Sequence, residues 1–394
     1  MLFSRSDVNT RLMICFCSIV IVFFSSSSLA FLSPETPLPS PPKNCHAALV
    51  MEVSSGEIVF EYNINDRVYP ASMAKMMLVL IAMEKVKSGE ISLDDVITVS
   101  AAASKIGGSQ VYLKQNETFT LQDLLESVLI QSANDSSHAI AEYIAGSRDG
   151  FVELMNQRAA QLGMENTVYQ SPHGLPPDAQ RGPDITTARD LAVLARELLI
   201  NHPEILQWTS LDTKPFRDGT FIMTNTNRLV RKFDGCDGIK TGYYRDAGFS
   251  ITATAQQKGV RVIAVVAGCG KGKERFDEAE RLMKWGLSLF INTELISAGF
   301  PVENLIPVVN GAKLETRPVT QNSVSAVIPK NRVGDIMMKT TLERELVAPL
   351  EPGIKCGKIS FSLDDHELGT SDLVTSESIE ALGWWGRLKR KVGL

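Results

Sequence analysis

The sequence predicts an α+β protein: an antiparallel sheet with a helical insertion packed beside it, followed by a small all-β domain. Three observations carry this. Strand-like runs at residues 47–53 and 57–62 open the folded part, and three more at 238–244, 249–255 and 260–267 return much later. Helical patterns fill the interval. From about Thr293 the helical period stops, and short alternating runs punctuated by Gly, Pro and Asn take over. The balance of 44% hydrophobic and 22% charged residues is that of a globular chain. Forty basic against 45 acidic residues give a net charge of −5, with no broad basic field for nucleic acid.

The first thirty residues read as a signal peptide. Arg5 and Arg11 flank a polar start, and residues 12–24 are apolar. That run is short for a bilayer span and suits a signal-peptide core, with cleavage after Ala30 in Ser28-Leu29-Ala30. An uncleaved membrane anchor is the alternative. Cleavage removes Cys15 and Cys17 and leaves Cys45, Cys236, Cys269 and Cys356. Four thiols allow three full pairings, and their spacing matches no zinc pattern. Residues 31–44 form a Pro-rich extended linker.

The folded part begins with a hairpin, residues 47–53 and 57–62, turned at Ser54-Ser55-Gly56. Residues 73–86 form a helix, apolar on every side from 76 to 83, which belongs in the middle of a domain. Further helices are expected at 121–131, 136–145, 151–162 and 187–200, and an amphipathic one at 275–290. Residues 45–292 thus form the first domain. The β-rich domain, 293–374, has strands at 306–309, 324–328, 336–340 and 357–362. In residues 375–394 a helical wheel gathers Ala381, Leu382, Trp384, Trp385, Leu388 and Val392 on one side. Most of the cations Arg387, Lys389, Arg390 and Lys391 lie off that stripe or at its edges. A basic amphipathic helix with tryptophans suits an anionic membrane surface; a helix packed on its own protein is the alternative.

Three motifs carry chemistry. Ser72-Met73-Ala74-Lys75 stands where the buried helix begins. Lys75 is one turn above Ser72, and desolvation should lower its pKa until it serves as a base toward the Ser72 hydroxyl. A capping Ser with a snorkelling Lys is the bland reading, and the apolar surroundings oppose it. Ser132-Ala133-Asn134 lies in the break between two helices, where an ordinary N-cap is the competing reading. Lys240-Thr241-Gly242 lies on a strand, with a cation and a hydroxyl suited to a carboxylate and a glycine that lets a substrate backbone approach. Together, in this order, the motifs form the set known from β-lactamases and penicillin-binding proteins.

From about Cys45 onward the chain resembles the low-molecular-weight penicillin-binding proteins, the serine-type D-alanyl-D-alanine carboxypeptidases of peptidase family S11. Pro70-Ala71-Ser72-Met73-Ala74-Lys75, Gln131-Ser132-Ala133-Asn134-Asp135, Ser171-Pro172-His173-Gly174-Leu175 and Asp237-Gly238-Ile239-Lys240-Thr241-Gly242-Tyr243 carry the likeness. It implies a β-lactamase/transpeptidase-like catalytic domain with a five-stranded antiparallel sheet and a helical cluster. It also implies removal of the terminal D-alanine from peptidoglycan pentapeptide. Ser72 is then the nucleophile, Lys75 its base and Ser132 a proton relay. Asn134 binds the substrate amide, Lys240 and Thr241 hold the carboxylate, and the N–H groups of Ser72 and Tyr243 form the oxyanion hole. No metal or cofactor is needed. The implied partners are a stem peptide ending in D-Ala-D-Ala, β-lactam antibiotics and, through the C-terminus, the periplasmic face of the membrane. A Cys45–Cys269 disulfide follows from the resemblance, because the family sheet sets its first strand beside its last. His173 is read as structural. Ala74 and Ala133 depart from the usual Thr and Gly without removing a reacting group, and Tyr244-Arg245 replaces smaller residues on the rim. The alternatives are a D-alanyl endopeptidase, a β-lactamase and a non-catalytic wall-binding protein.

Overall fold

A computed structural model describes residues 20–21, 37–175 and 182–386. The signal-peptide reading of residues 1–30 lies outside these residues except at Val20–Ile21, a two-residue strand paired with Thr340 and Lys339. The chain divides into two compact units, Pro34–Ile291 and a second that joins the chain from Asn292 onward with the Val20–Ile21 strand.

The first unit is built on five antiparallel strands. These are β1 (Ala47–Glu52), β2 (Ile58–Tyr62), β3 (Cys236–Tyr244), β4 (Gly248–Gln257) and β5 (Val260–Cys269), in the spatial order β2-β1-β5-β4-β3. The opening hairpin therefore joins the three late strands through β1 and β5, with Val50 opposite Ala264. Every residue of β1 is buried, because both faces of the sheet are covered. Ala47, Leu49 and Met51 enter the core shared with the helical cluster. On the other face lies the long helix Gly272–Leu289. It comes so close that a Cβ on Gly286 would sit 2.7 Å from Val50 Cγ1.

The helical cluster comprises α1 (Lys75–Ser88), α2 (Leu121–Ile130), α3 (Asn134–Ala145), α4 (Arg148–Gln161) and α5 (Ala188–Asn201); the helix over the opposite face is α6 (Gly272–Leu289). Residues Lys75 to Met83 of α1 are all buried, and the helix stops at Gly89 in the left-handed conformation. A capping box, Thr120 with Asp123, starts α2. Cys45 and Cys269 form a disulfide across 224 residues, tying the approach to β1 to the end of β5. Cys236 and Cys356 are buried free thiols.

One expectation needs correction, and the described part of the Pro-rich linker gains a detail. Pro37 O accepts from Trp285 Nε1 at 3.0 Å, Ser40 O accepts from Arg281 at 3.0 Å, and Asn44 Nδ2 donates to Glu274 at 3.1 Å, which pins it along α6. The C-terminal helix does not begin at residue 375. Ile379 is buried and bridges Leu350, and Ala381 bridges Gly311, so these residues complete the β domain. Ile379, which the wheel did not place on the membrane face, lies in that domain's core, while Ala381, Trp384 and Trp385 of the wheel are exposed. Residues 384–386 are helical; residues 387–394 lie outside the described residues.

The second unit carries a five-stranded sheet. Its order is Val20–Ile21, Met337–Leu342, Lys355–Leu363, His366–Thr375, Pro318–Thr320. Val324, Ile359, Phe361 and Leu373 lie in its core.

Candidate active site

Ser72 does not stand in α1 itself. It lies in a 3-10 turn, Ala71–Ala74, that runs directly into Lys75. Three residues per turn eclipse positions i and i+3, which stacks Lys75 over Ser72 more directly than an α-helix does. Lys75 Nζ lies 2.8 Å from Ser72 Oγ. The turn starts at Ala71 with φ +47°, a conformation costing about 1–2 kcal/mol for a residue with a Cβ. Two glycines hold it in place. A Cβ on Gly174 would sit 1.7 Å from Ala71 O, and one on Gly242 would sit 2.4 Å from Pro70 O. Gly242, expected to let a substrate backbone approach, also lets the chain's own nucleophile turn come close.

Lys75 is fully buried and has two further neighbours, Asn134 Oδ1 at 2.7 Å and His173 O at 2.9 Å. Its pKa is held well below the ordinary lysine value, first by burial and then by the nearby Lys240, against Asp184 and Asp135. A neutral amine has two N–H groups and one lone pair. The amide oxygen and the carbonyl can only accept, so they take the two N–H groups. The lone pair is left facing the one neighbour that can donate, the Ser72 hydroxyl.

Ser132 sits in the tight connection between α2 and α3 with φ +65°. Asn134 opens α3, but Ala133 is the capping position, so the Asn134 side chain is free for other work. Its Oδ1 meets Lys75, and its Nδ2 donates to Gly107 O at 2.8 Å. The buried Asp135 carboxylate accepts from the N–H groups of Val111 and Leu113 and fastens the same loop.

Lys240, Thr241, Gly242 and Tyr243 lie on β3, the edge of the sheet beside the nucleophile turn. Lys240 is buried, and burial together with Arg275 lowers its pKa to about 7. Thr241 Oγ1 donates to Thr226 Oγ1 at 2.9 Å. Tyr243 is half exposed and stacks on Phe249 with ring centroids 4.0 Å apart. Arg275 reaches from α6 to donate to Gly242 O at 2.9 Å and Ser250 O at 3.2 Å. The chelated pair Arg261–Asp237, with two 2.7 Å contacts, anchors the start of β3.

All the expected catalytic and binding residues except Ser132 are joined here by a hydrogen bond, a close packing contact or a shared strand, and Ser132 lies two residues from Asn134 in the same connection. Asp184, Arg275 and the His173 carbonyl were not singled out from the sequence. Among the described residues no cluster of three or more His, Cys, Asp or Glu is arranged to hold a metal.

The fold and the site define an enzyme with a buried lysine hydrogen-bonded to a part-buried serine beside a sheet edge that carries Lys240. The comparisons name its class. The family model described as D-alanyl-D-alanine carboxypeptidase matches residues 36–270, and that of the penicillin-binding protein 5 C-terminal domain matches 290–381. The D-alanyl-D-alanine carboxypeptidase DacC of Escherichia coli is 32% identical over 375 residues, covering 93% of this chain and 91% of its own length. DacF of Bacillus subtilis is 31% identical, covering 88% and 89%. Penicillin-binding protein 5 from Haemophilus influenzae superposes with a TM-score of 0.64 at 28% identity, covering 87% of this chain and all of that one. Penicillin-binding protein D2 from Listeria monocytogenes, solved in an ampicillin-bound form, gives 0.58 at 31% identity over 63% of this chain and 99% of its own. The chain belongs to the D-alanyl-D-alanine carboxypeptidase family, and it is a carboxypeptidase of that kind.

Proposed function

We propose that the reaction runs through an acyl-serine at Ser72 and that penicillin acylates the same oxygen. The observation that carries this is the set of three neighbours around Lys75, two of which can only accept, so that in the neutral amine the lone pair falls to the Ser72 hydroxyl. Ser72 Oγ bonds to the carbonyl carbon between the two D-alanines while its proton passes to Lys75 Nζ. The N–H groups of Ser72 and Tyr243 stabilise the oxyanion, as Gly242 packs β3 against the turn that carries Ser72. The C–N bond then breaks, and the departing amine takes the proton through Ser132. Water cleaves the ester and regenerates Ser72. Lys240 and Thr241 grip the terminal carboxylate, and Asn134 binds the amide side.

The same reading extends to location. Residues 1–30 act as a signal peptide, and the protein works on the periplasmic or extracytoplasmic face of the membrane, attached peripherally by its C-terminus. Trp384 and Trp385 support this, being exposed and stacked on each other at 4.1 Å. No helix among the described residues is long and apolar enough to cross a membrane.

Intact mass after incubation with benzylpenicillin tests the mechanism. A stable adduct mapped to the Ser72 peptide is expected. Unmodified protein with intact drug overturns the reading, and unmodified protein with hydrolysed drug points to a β-lactamase. Gly242→Ala is expected to slow acylation at least about tenfold, since its Cβ must push Pro70 and the Ser72 turn aside. A wild-type acylation rate in that variant would show that the turn is not gripped by the strand.

A further inference from the structure

The structure carries a hydrogen-bonded chain that ends on Lys75 and begins at a carboxylate outside every motif. Asp184 is buried beside the loop Ser171–Leu175. It accepts from the backbone N–H of Gln170, from that of Ser171 at 3.0 Å, and from Ser171 Oγ at 3.1 Å. Ser171 Oγ, its proton committed to Asp184, accepts from Gly174 N at 2.9 Å. Gly174 N–H and His173 C=O belong to one planar peptide unit and point in opposite directions. Fixing the N–H on Ser171 therefore aims the carbonyl the other way, and it meets Lys75 Nζ at 2.9 Å.

We propose that Asp184 is a positioning residue for Lys75, acting through Ser171 and the His173–Gly174 peptide. This rests on the reading of Lys75 as the base. The carboxylate orients the one acceptor that no motif supplies, and so keeps the amine's lone pair on Ser72. It also acts through its charge. Lys75 faces Asp184 and Asp135, which favour its protonated form, and Lys240, which opposes it. Around Asp184 stand Lys75, Tyr169 and Tyr244, while His173 stays neutral in the loop, burial and then Lys75 holding its pKa near 3. Burial lifts Asp184 to about 6 against the N–H groups of Gln170 and Ser171, so it is ionised above that pH.

The test is the benzylpenicillin acylation rate against pH for the wild-type protein, Asp184→Asn and Ser171→Ala. Asp184→Asn is expected to lose about tenfold near neutral pH, because the relay from its carboxylate is broken. Its acid limb should move to lower pH, since a charge that favours protonated Lys75 has gone. Ser171→Ala keeps the charge and breaks the relay, so the rate should fall with the acid limb in place. Wild-type rates in both variants overturn the proposal. So does a slower Asp184→Asn with an unmoved limb, which is the signature of a residue that only holds the fold. If Asp184→Asn does not fold, Ser171→Ala decides: a lower rate at an unchanged melting temperature supports the relay, and a wild-type rate sinks it. No adduct on the wild-type protein is a separate result, which removes the acyl-serine reading itself.

Discussion

Ser72→Ala is expected to abolish the penicillin adduct and to slow release of D-alanine by about 10⁴-fold or more. The size follows from the lack of a substitute. Of the other hydroxyls of the motifs, Ser132 sits in a connection with φ +65°, placed there by α2 and α3 rather than by the nucleophile turn, and Thr241 lies on β3 with its proton donated to Thr226. The fold has little stake in the Ser72 hydroxyl. Its turn is closed by backbone bonds such as Met73 N to Pro70 O at 3.0 Å and gripped by Gly174 and Gly242, none of which the substitution touches. Lys75 keeps Asn134 and His173 as acceptors. The variant should therefore melt with the wild type while giving an unshifted mass after benzylpenicillin. An adduct that persists on Ser72→Ala would place the nucleophile elsewhere.

Much of this site is written in local sequence. Ser72 and Lys75 are three residues apart at the start of an apolar run, and Lys240 to Gly242 sit on an expected strand, but it is the set of three motifs and the family resemblance that give both their roles. The opening hairpin and the three late strands were legible as strand-like runs, and β1 and β5 differ from expectation only at their ends. What escaped depends on contacts between distant segments. Asp184 reads as one more polar residue ahead of a helix, and only its burial against Gln170 and Ser171 gives it a role. Arg275 reads as the polar face of an amphipathic helix until α6 is laid over β4 and β3. The 3-10 turn at Ala71–Ala74 has no sequence signal, because Gly174 and Gly242 impose it from outside. The strand His366–Thr375 was missed because its first half is exposed or half-buried and contains Gly369, so it lacks a clean two-residue period.

Lys75→Met is expected to lower acylation by about 10³-fold or more, at the strong end of what a positioned base contributes. Lys75→Arg should be no better, since a guanidinium does not give up its proton in this pH range. The sign of the wild-type pH dependence follows from the same group. Lys75 is a base only when neutral, so below its depressed pKa the rate should fall tenfold for each pH unit. Above about 7, Lys240 loses its charge in the free enzyme, and the grip on the substrate carboxylate weakens. The profile of kcat/KM for a D-alanyl-D-alanine peptide should therefore be a bell with Lys75 on its acid side and Lys240 on its alkaline side. Lys240→Gln separates the two. Its lost charge no longer repels the proton on Lys75, whose pKa should rise and carry the acid limb of penicillin acylation to higher pH. That is opposite in direction to Asp184→Asn. Two neutralising substitutions that moved the limb the same way, or not at all, would mean that the limb belongs to a group other than Lys75.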